Sequence, residues 1–105
     1  MNKTIISIYT EQTPNPNSLK FVLNRMLYND GSAEFTKDLA QKHSPFAEHL
    51  YKISHITNVF IAKNFVTLSK DDSIEWFEMI SDIKKEIQIF FETEQVIISE
   101  ELKEI

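Results

Sequence analysis

The sequence predicts an α+β fold: a two-layer sandwich in which an antiparallel-rich sheet of four or five strands carries two helices on one face. Three observations carry that expectation. Ser18–Asn24 alternates, with Leu19, Phe21 and Leu23 on one side and Ser18, Lys20 and Asn24 on the other, the period of a half-buried strand. Ile74, Phe77, Ile80, Ile83, Ile87, Phe90 and Phe91 recur at helical spacing and give a wide apolar face. The chain has 105 residues, 42% of them apolar and 26% charged, enough for one domain with its own core.

The elements follow in order. Thr4–Thr10 is β-rich and reads as a first strand, and Glu11–Asn17 as the turn into the second. Asn29, Asp30 and Gly31 mark Arg25–Ser32 as a turn region, followed by a short further strand at Ala33–Thr36. Ser44 then Pro45 opens a helix, serine as cap and proline at the first helical position, with Phe46, Ala47, Leu50, Tyr51 and Ile53 on its apolar side. Val59–Lys63 and Phe65–Lys70 form a hairpin reversing near Asn64. Asp72 and Glu75 have the spacing of a capping box, so the second helix is expected to begin at Asp72, with Trp76 beside its stripe. From Glu92 the chain turns acidic, apart from Val96, Ile97 and Ile98, which suit a last strand or the start of a linker. The expected division is residues 1–93 as the domain and 94–105 as acidic tail or linker. Both helices on one face would leave the other face of the sheet partly open.

Composition excludes several functions. There is no cysteine, which removes disulfides, thiolate catalysis and cysteine-held zinc or iron–sulfur centres within this chain. The net charge is −5 and the eleven Lys and Arg are scattered, a poor match to nucleic acid. A single glycine cannot build a phosphate-cradling loop. No basic start leads into an apolar run, and no apolar stretch is long enough to cross a bilayer, so the cytoplasm is the expected compartment and no membrane partner is expected. No nucleophile elbow appears, and Glu75, Glu78, Asp82 and Glu86 read as a solvated helix face, so no catalytic residue is assigned and no enzyme is expected. His43, His49 and His55 are six apart, whereas helical metal pairs sit three or four apart. They read as surface or structural histidines, with a small histidine/carboxylate metal-binding protein as the alternative.

The least ordinary segment is Thr13-Pro14-Asn15-Pro16-Asn17-Ser18. Each proline pins its own φ and extends the residue before it, and the asparagines can bond nearby backbone. The loop is therefore stiff. It serves either as a rigid connection that sets register or as a preorganised surface that meets a partner at low entropic cost. Thr13, Pro14, Asn15, Pro16, Asn17 and Ser18, with Lys20 beyond them, are the candidate partner-binding residues.

Thr13-Pro-Asn-Pro-Asn-Ser-Leu-Lys-Phe21 resembles the signature of the N-terminal domain of Nfu/NifU-like iron–sulfur cluster scaffold proteins. Ser44-Pro45-Phe46-Ala47 resembles that family's Ser-Pro-Leu-Ala helix start. Val59-Phe60-Ile61, then Asn64-Phe65-Val66-Thr67-Leu68 and Lys70, resemble its paired strands, and Trp76 also fits. The departures are in turns: Val22-Leu23-Asn24 stands where the family often has Pro-Gly, and His55–Asn58 lacks a glycine common there. The resemblance implies a part in maturing iron–sulfur proteins. It implies that the cluster sits on a separate Cys-x-x-Cys module, with no cofactor in this chain. The partners it implies are iron–sulfur assembly or recipient proteins, or a C-terminal Cys-x-x-Cys module of the same protein; a stand-alone protein-binding adaptor is the alternative.

Overall fold

The alternating segment Ser18–Leu23 forms strand β2, next to the edge strand β1 (Ile8–Gln12) on one side and β5 (Phe65–Lys70) on the other. This is seen in a computed structural model that describes residues 5–93 and 95–99. β4 (Ile56–Lys63) pairs with β5, and β3 (Tyr28–Phe35) forms the far edge. The order is β1-β2-β5-β4-β3, antiparallel at every step. The α+β class and the antiparallel sheet are as the sequence predicts. The β4–β5 hairpin turns at Lys63, whose φ is +48°, and at Asn64. The Leu23 amide donates to the Asn64 carbonyl (2.8 Å), and Asn64 Nδ2 donates to the Leu23 carbonyl (3.2 Å), so this turn is tied to the end of β2.

One face of the sheet presents Leu19, Phe21, Leu23, Val59, Ile61, Val66 and Leu68, all buried. Helices α1 (Lys37–His43), α2 (Pro45–Tyr51) and α3 (Ile80–Glu92) supply Ala40, Phe46, Leu50, Ile83, Ile87 and Phe90 to the same core. Phe46 packs between Phe90 and Phe91, with ring centres 5.1 and 5.7 Å away. α2 starts where expected: Ser44 Oγ accepts from the Ala47 amide at 3.0 Å, and Pro45 takes the first helical position. On the opposite face, Lys20 Nζ lies 4.1 Å from the Phe65 ring centre and 3.3 Å from Glu11.

Several boundaries differ from the sequence expectation, each for a local reason. The first strand runs over Ile8–Gln12, because pairing with β2 continues to the Gln12–Leu19 register; Thr4 lies outside the described residues. Tyr28–Ser32, expected as turn, belongs to β3, which absorbs the Asn29-Asp30-Gly31 signal as a bulge with Gly31 at φ +116°. The helical layer has one more member than expected. α1 buries only Ala40 among its residues, too little to give an apolar stripe, and is set by the Thr36 cap.

The last helix starts later than Asp72. Asp71 accepts from the Ser73 amide at 2.9 Å, a local turn that competes with helix. A 3-10 turn at Trp76–Glu78 follows, closed by a reciprocal Glu75–Glu78 capping box, and α3 begins at Ile80. Phe77 therefore leaves the apolar stripe and is 79% exposed. Val96–Ile98 form no strand. Ile97 and Ile98 pack against the core, Ser44 Oγ donates to the Ile97 carbonyl (2.7 Å), and the Ser99 amide donates to the His43 carbonyl (2.7 Å). Residue 94 and residues 100–105 of the expected tail lie outside the described residues.

Candidate functional site

The Thr13–Ser18 loop is built from its own polar groups. Thr13 Oγ1 bonds the Asn15 carbonyl (2.9 Å) and the Ser18 carbonyl (3.2 Å), and accepts from the Asn15 amide (3.1 Å). Asn15 Oδ1 accepts from the Asn17 amide (2.9 Å), and the Ser18 amide donates to the Asn15 carbonyl (3.0 Å). The prolines limit φ while these bonds close the turn, so the loop has one shape before anything binds it. Pro14, Asn15 and Pro16 remain exposed at its tip.

Three residues distant in sequence anchor the loop. Lys70 is a buried cation, 7% exposed. Its Nζ donates to Asn17 Oδ1 (3.3 Å) and to the Asp71 carbonyl (3.2 Å), and its amide donates to the Asn17 carbonyl (2.9 Å). Asn17 Nδ2 in turn donates to Asp72 Oδ1 (2.6 Å). Trp76 Nε1 donates to the Pro16 carbonyl (3.1 Å), while its ring meets Phe21 edge-on at 6.3 Å and carries the Lys70 ammonium 5.6 Å from its centre. Ser18 Oγ and Ser69 Oγ share a bond across β2 and β5 (3.0 Å).

The structure thus brings Thr13, Pro14, Asn15, Pro16, Asn17 and Ser18 together. It sets Lys20 apart, beside Glu11 and Phe65 on the other face of the sheet. The Asn15 and Asn17 side chains are engaged within the protein, so the surface offered outward is the Pro14–Pro16 tip. Lys70, Asp72 and Trp76 were not linked to this loop by sequence; their spacing carries no signal, because only the β2–β5 pairing makes them neighbours.

The histidines are dispersed. His49 Nε2 lies 2.9 Å from Glu86 Oε1, at an angle outside hydrogen-bond geometry. His43 Nδ1 is buried without a hydrogen-bond partner among the described residues. His55, at φ +79°, meets Asp71 (3.1 Å) and Ser73 (3.0 Å) through the same nitrogen, Nδ1. A nucleophilic triad needs serine and carboxylate on opposite ring nitrogens, so this cluster is not one. Bonds from the Ser73 hydroxyl and amide, then His55, lower the Asp71 carboxyl pKa to about 2. Among the described residues no three His, Asp or Glu side chains converge as metal ligands. An iron–sulfur cluster requires thiolates, and this chain has none, so its residues do not fit a resident cluster. Among the described residues no helix is long and apolar enough to cross a membrane.

The family model for the N-terminal part of the Nfu/NifU scaffold protein matches residues 8–94. The human mitochondrial NFU1 iron-sulfur cluster scaffold homolog is 33% identical over 95 residues, covering 90% of this chain and 37% of the relative. The mitochondrial NifU-like protein 4 of Arabidopsis thaliana is 33% identical over 88 residues, covering 84% of this chain and 31% of the relative. The chain therefore spans about a third of the length of these relatives. The solution structure of a NifU-like protein from Saccharomyces cerevisiae superposes with a TM-score of 0.78 at 25% identity, covering 95% of this chain and 91% of that one. Staphylococcus aureus SAV1430 shares the fold, with a TM-score of 0.61 at 21% identity over 81% of this chain and 98% of that one. With the Thr13–Phe21 signature folded into one anchored loop and strand, this chain belongs to the Nfu/NifU N-terminal family of scaffold proteins.

Proposed function

We propose that this chain is the accessory interaction domain of an Nfu-type scaffold, working in iron–sulfur cluster assembly and delivery without cluster ligands of its own. In this reading it is not an enzyme. It recognises assembly or recipient proteins, or positions a Cys-x-x-Cys module that carries the cluster as cargo. Thr13–Ser18 is the partner surface, with Lys20 an outlying contact. The observation that carries the reading is the anchoring of that loop: a buried ammonium, an indole N–H and a carboxylate hold it while its Pro14–Pro16 tip stays exposed. A loop held in one shape loses little freedom on binding.

Residues 1–93 make the domain in this reading, with 94–105 as an acidic tail or the start of a linker. The contacts of Ile97 with Ser44 and of Ser99 with His43 support a fixed point of departure. The cytoplasm is the compartment the reading keeps; two relatives bear mitochondrial names, and fractionation of the full-length protein decides between them.

The test is nuclear magnetic resonance. The labelled chain is titrated with a cluster-loaded Cys-x-x-Cys module, and the amides of Thr13, Asn15, Asn17 and Ser18 should shift in a saturable way. Pro14→Arg, at an exposed position, should weaken the interaction about tenfold. Shifts elsewhere, or unaltered binding by Pro14→Arg, would remove the loop from the partner surface.

A further inference from the structure

β1 is an edge strand without the usual protection. Edges are commonly blunted by lysine, proline or a bulge, because unpaired N–H and C=O groups recruit other strands. β3, the other edge, has the bulge at Gly31. β1 has none of these devices. Ile8-Tyr9-Thr10-Glu11-Gln12 pairs with β2 in unbroken register, and its one charge, Glu11, is met by Lys20 of its own sheet. Both faces of this edge also carry apolar surface. Tyr9 is 56% exposed on the open face of the sheet, and Phe77, 79% exposed, shares a groove with Thr10 and Gln12 on the helical side. Among the described residues these are the two aromatic side chains more than half exposed.

The backbone decides which residues a further strand meets. The Asn24 amide donates to the Ser7 carbonyl (3.2 Å), so Ser7 turns toward β2. Antiparallel strands alternate, so Tyr9 and Glu11 also turn to β2, while Ile8, Thr10 and Gln12 turn their N–H and C=O groups outward. Leu23 agrees with this: it stands opposite Ile8 and bonds away from β1, to Asn64 (2.8 Å). The outward row ends at Ile8, because the Ile6 amide is taken by Gln88 Oε1 (3.2 Å).

This row is complementary to itself. Laid antiparallel against its own copy about Thr10, β1 places Ile8 opposite Gln12, Tyr9 opposite Glu11 and Thr10 opposite Thr10. Every outward residue is used, each pair exchanging both main-chain bonds, and no like charges meet. Other twofold positions fail. One at Glu11 opposes two carboxylates, one at Ile8 or Tyr9 needs the Ile6 amide, and one at Gln12 sets Thr10 against Pro14, which has no amide.

We propose that β1 pairs with β1 of a second copy of this chain, antiparallel about Thr10, joining two sheets into one. Ile8 of the second copy lies beside Gln12 in the groove that Phe77 walls, and Tyr9 of each copy meets the Glu11–Lys20 pair of the other. The Thr13–Ser18 loops follow Gln12 at opposite ends of the strand pair, so the dimer presents two of them. This goes beyond the interaction reading and does not rest on it. With five strand residues and Phe77 on each side, against roughly 20–30 in a standard interface, the dimer is weak and follows concentration.

Sedimentation of the full chain should show the mass rising from one chain toward two as concentration approaches millimolar. Hydrogen exchange should slow with concentration at the Ile8, Thr10 and Gln12 amides and not at Tyr9 and Glu11, which already bond β2. Thr10→Lys sets two ammonium groups opposite each other and should weaken dimerisation about tenfold or more, as should Thr10→Glu, whereas an equimolar mixture of the two variants should pair again. Phe77→Ala should weaken it about tenfold; the exposure of Phe77 means that the fold does not depend on it, so this variant keeps the test should Thr10→Lys unfold. A monomer at millimolar concentration, Thr10→Lys chains that dimerise as well as the unaltered ones, or a mixture that stays monomeric would overturn the pairing. So would protection of Ile8, Thr10 and Gln12 that arises only with the cluster-loaded module, which would assign the edge to a strand of the partner.

Discussion

Replacing Asn17 by Ala isolates the anchor of the loop. The backbone bond from the Lys70 amide to the Asn17 carbonyl survives, so the change removes side-chain bonds only. Two are lost: Lys70 Nζ to Asn17 Oδ1, and Asn17 Nδ2 to Asp72 Oδ1. A hydrogen bond to a charged group contributes about 1.5–3 kcal/mol, and the full figure applies at Lys70, whose ammonium is shielded and keeps only the Asp71 carbonyl among its bonds named above. The bond to exposed Asp72 adds little, because water replaces it. The expected loss is about 2 kcal/mol, or about 10 °C in melting temperature for a domain of this size. Urea unfolding followed by Trp76 emission and by circular dichroism measures it, with the slope unchanged. Asn15→Ala is the comparator. It loses one exposed bond, to the Asn17 amide, and should cost less than about 1 kcal/mol. A loss below about 0.5 kcal/mol for Asn17→Ala, or a larger loss for Asn15→Ala, would refute the claim that Asn17 holds the loop through Lys70.

Two other outcomes follow from particular contacts. Ser44→Ala deletes the cap of α2 and strips the Ile97 carbonyl of its donor, at a position 1% exposed; a loss of about 2 kcal/mol is expected, with faster hydrogen exchange at the Ser99 amide. The Asp71 carboxyl, held at about 2 by Ser73 and then His55, has a folded pKa below its unfolded one. Its contribution to stability is therefore fully present above the ordinary carboxylate range and is lost as pH falls through that range towards about 2. A carboxyl titration by nuclear magnetic resonance should place Asp71 near 2, and Ser73→Ala should raise it; an ordinary value in the unaltered protein would show that the Ser73 and His55 bonds are not formed in solution.

The legibility of the fold followed the strength of its periodic signals. β2, β5 and the start of α2 are encoded locally, by alternation at Ser18–Leu23, by alternate burial at Phe65–Lys70, and by Ser44-Pro45. α1 was not legible, because a helix whose one buried residue is Ala40 has no stripe to detect. The start of α3 was misplaced because two overlapping cap signals exist. Asp72 with Glu75 has the right spacing, but the Asp71–Ser73 turn occupies that stretch, and the working box is Glu75 with Glu78. That shift of register is what turns Phe77 from a core residue into an exposed one.

The candidate site divides in the same way. The stiffness of Thr13–Ser18, the lack of cysteine and the family signature are properties of the chain, since proline geometry, thiol chemistry and residue identity do not depend on the fold. Which residues hold the loop, and which way its asparagines turn, only the tertiary structure decided. Lys70, Asp72 and Trp76 lie more than fifty residues away, and they reach the loop because β2 pairs with β5. A local sequence pattern records spacing along the chain, whereas a buried ammonium finds its acceptors across strands.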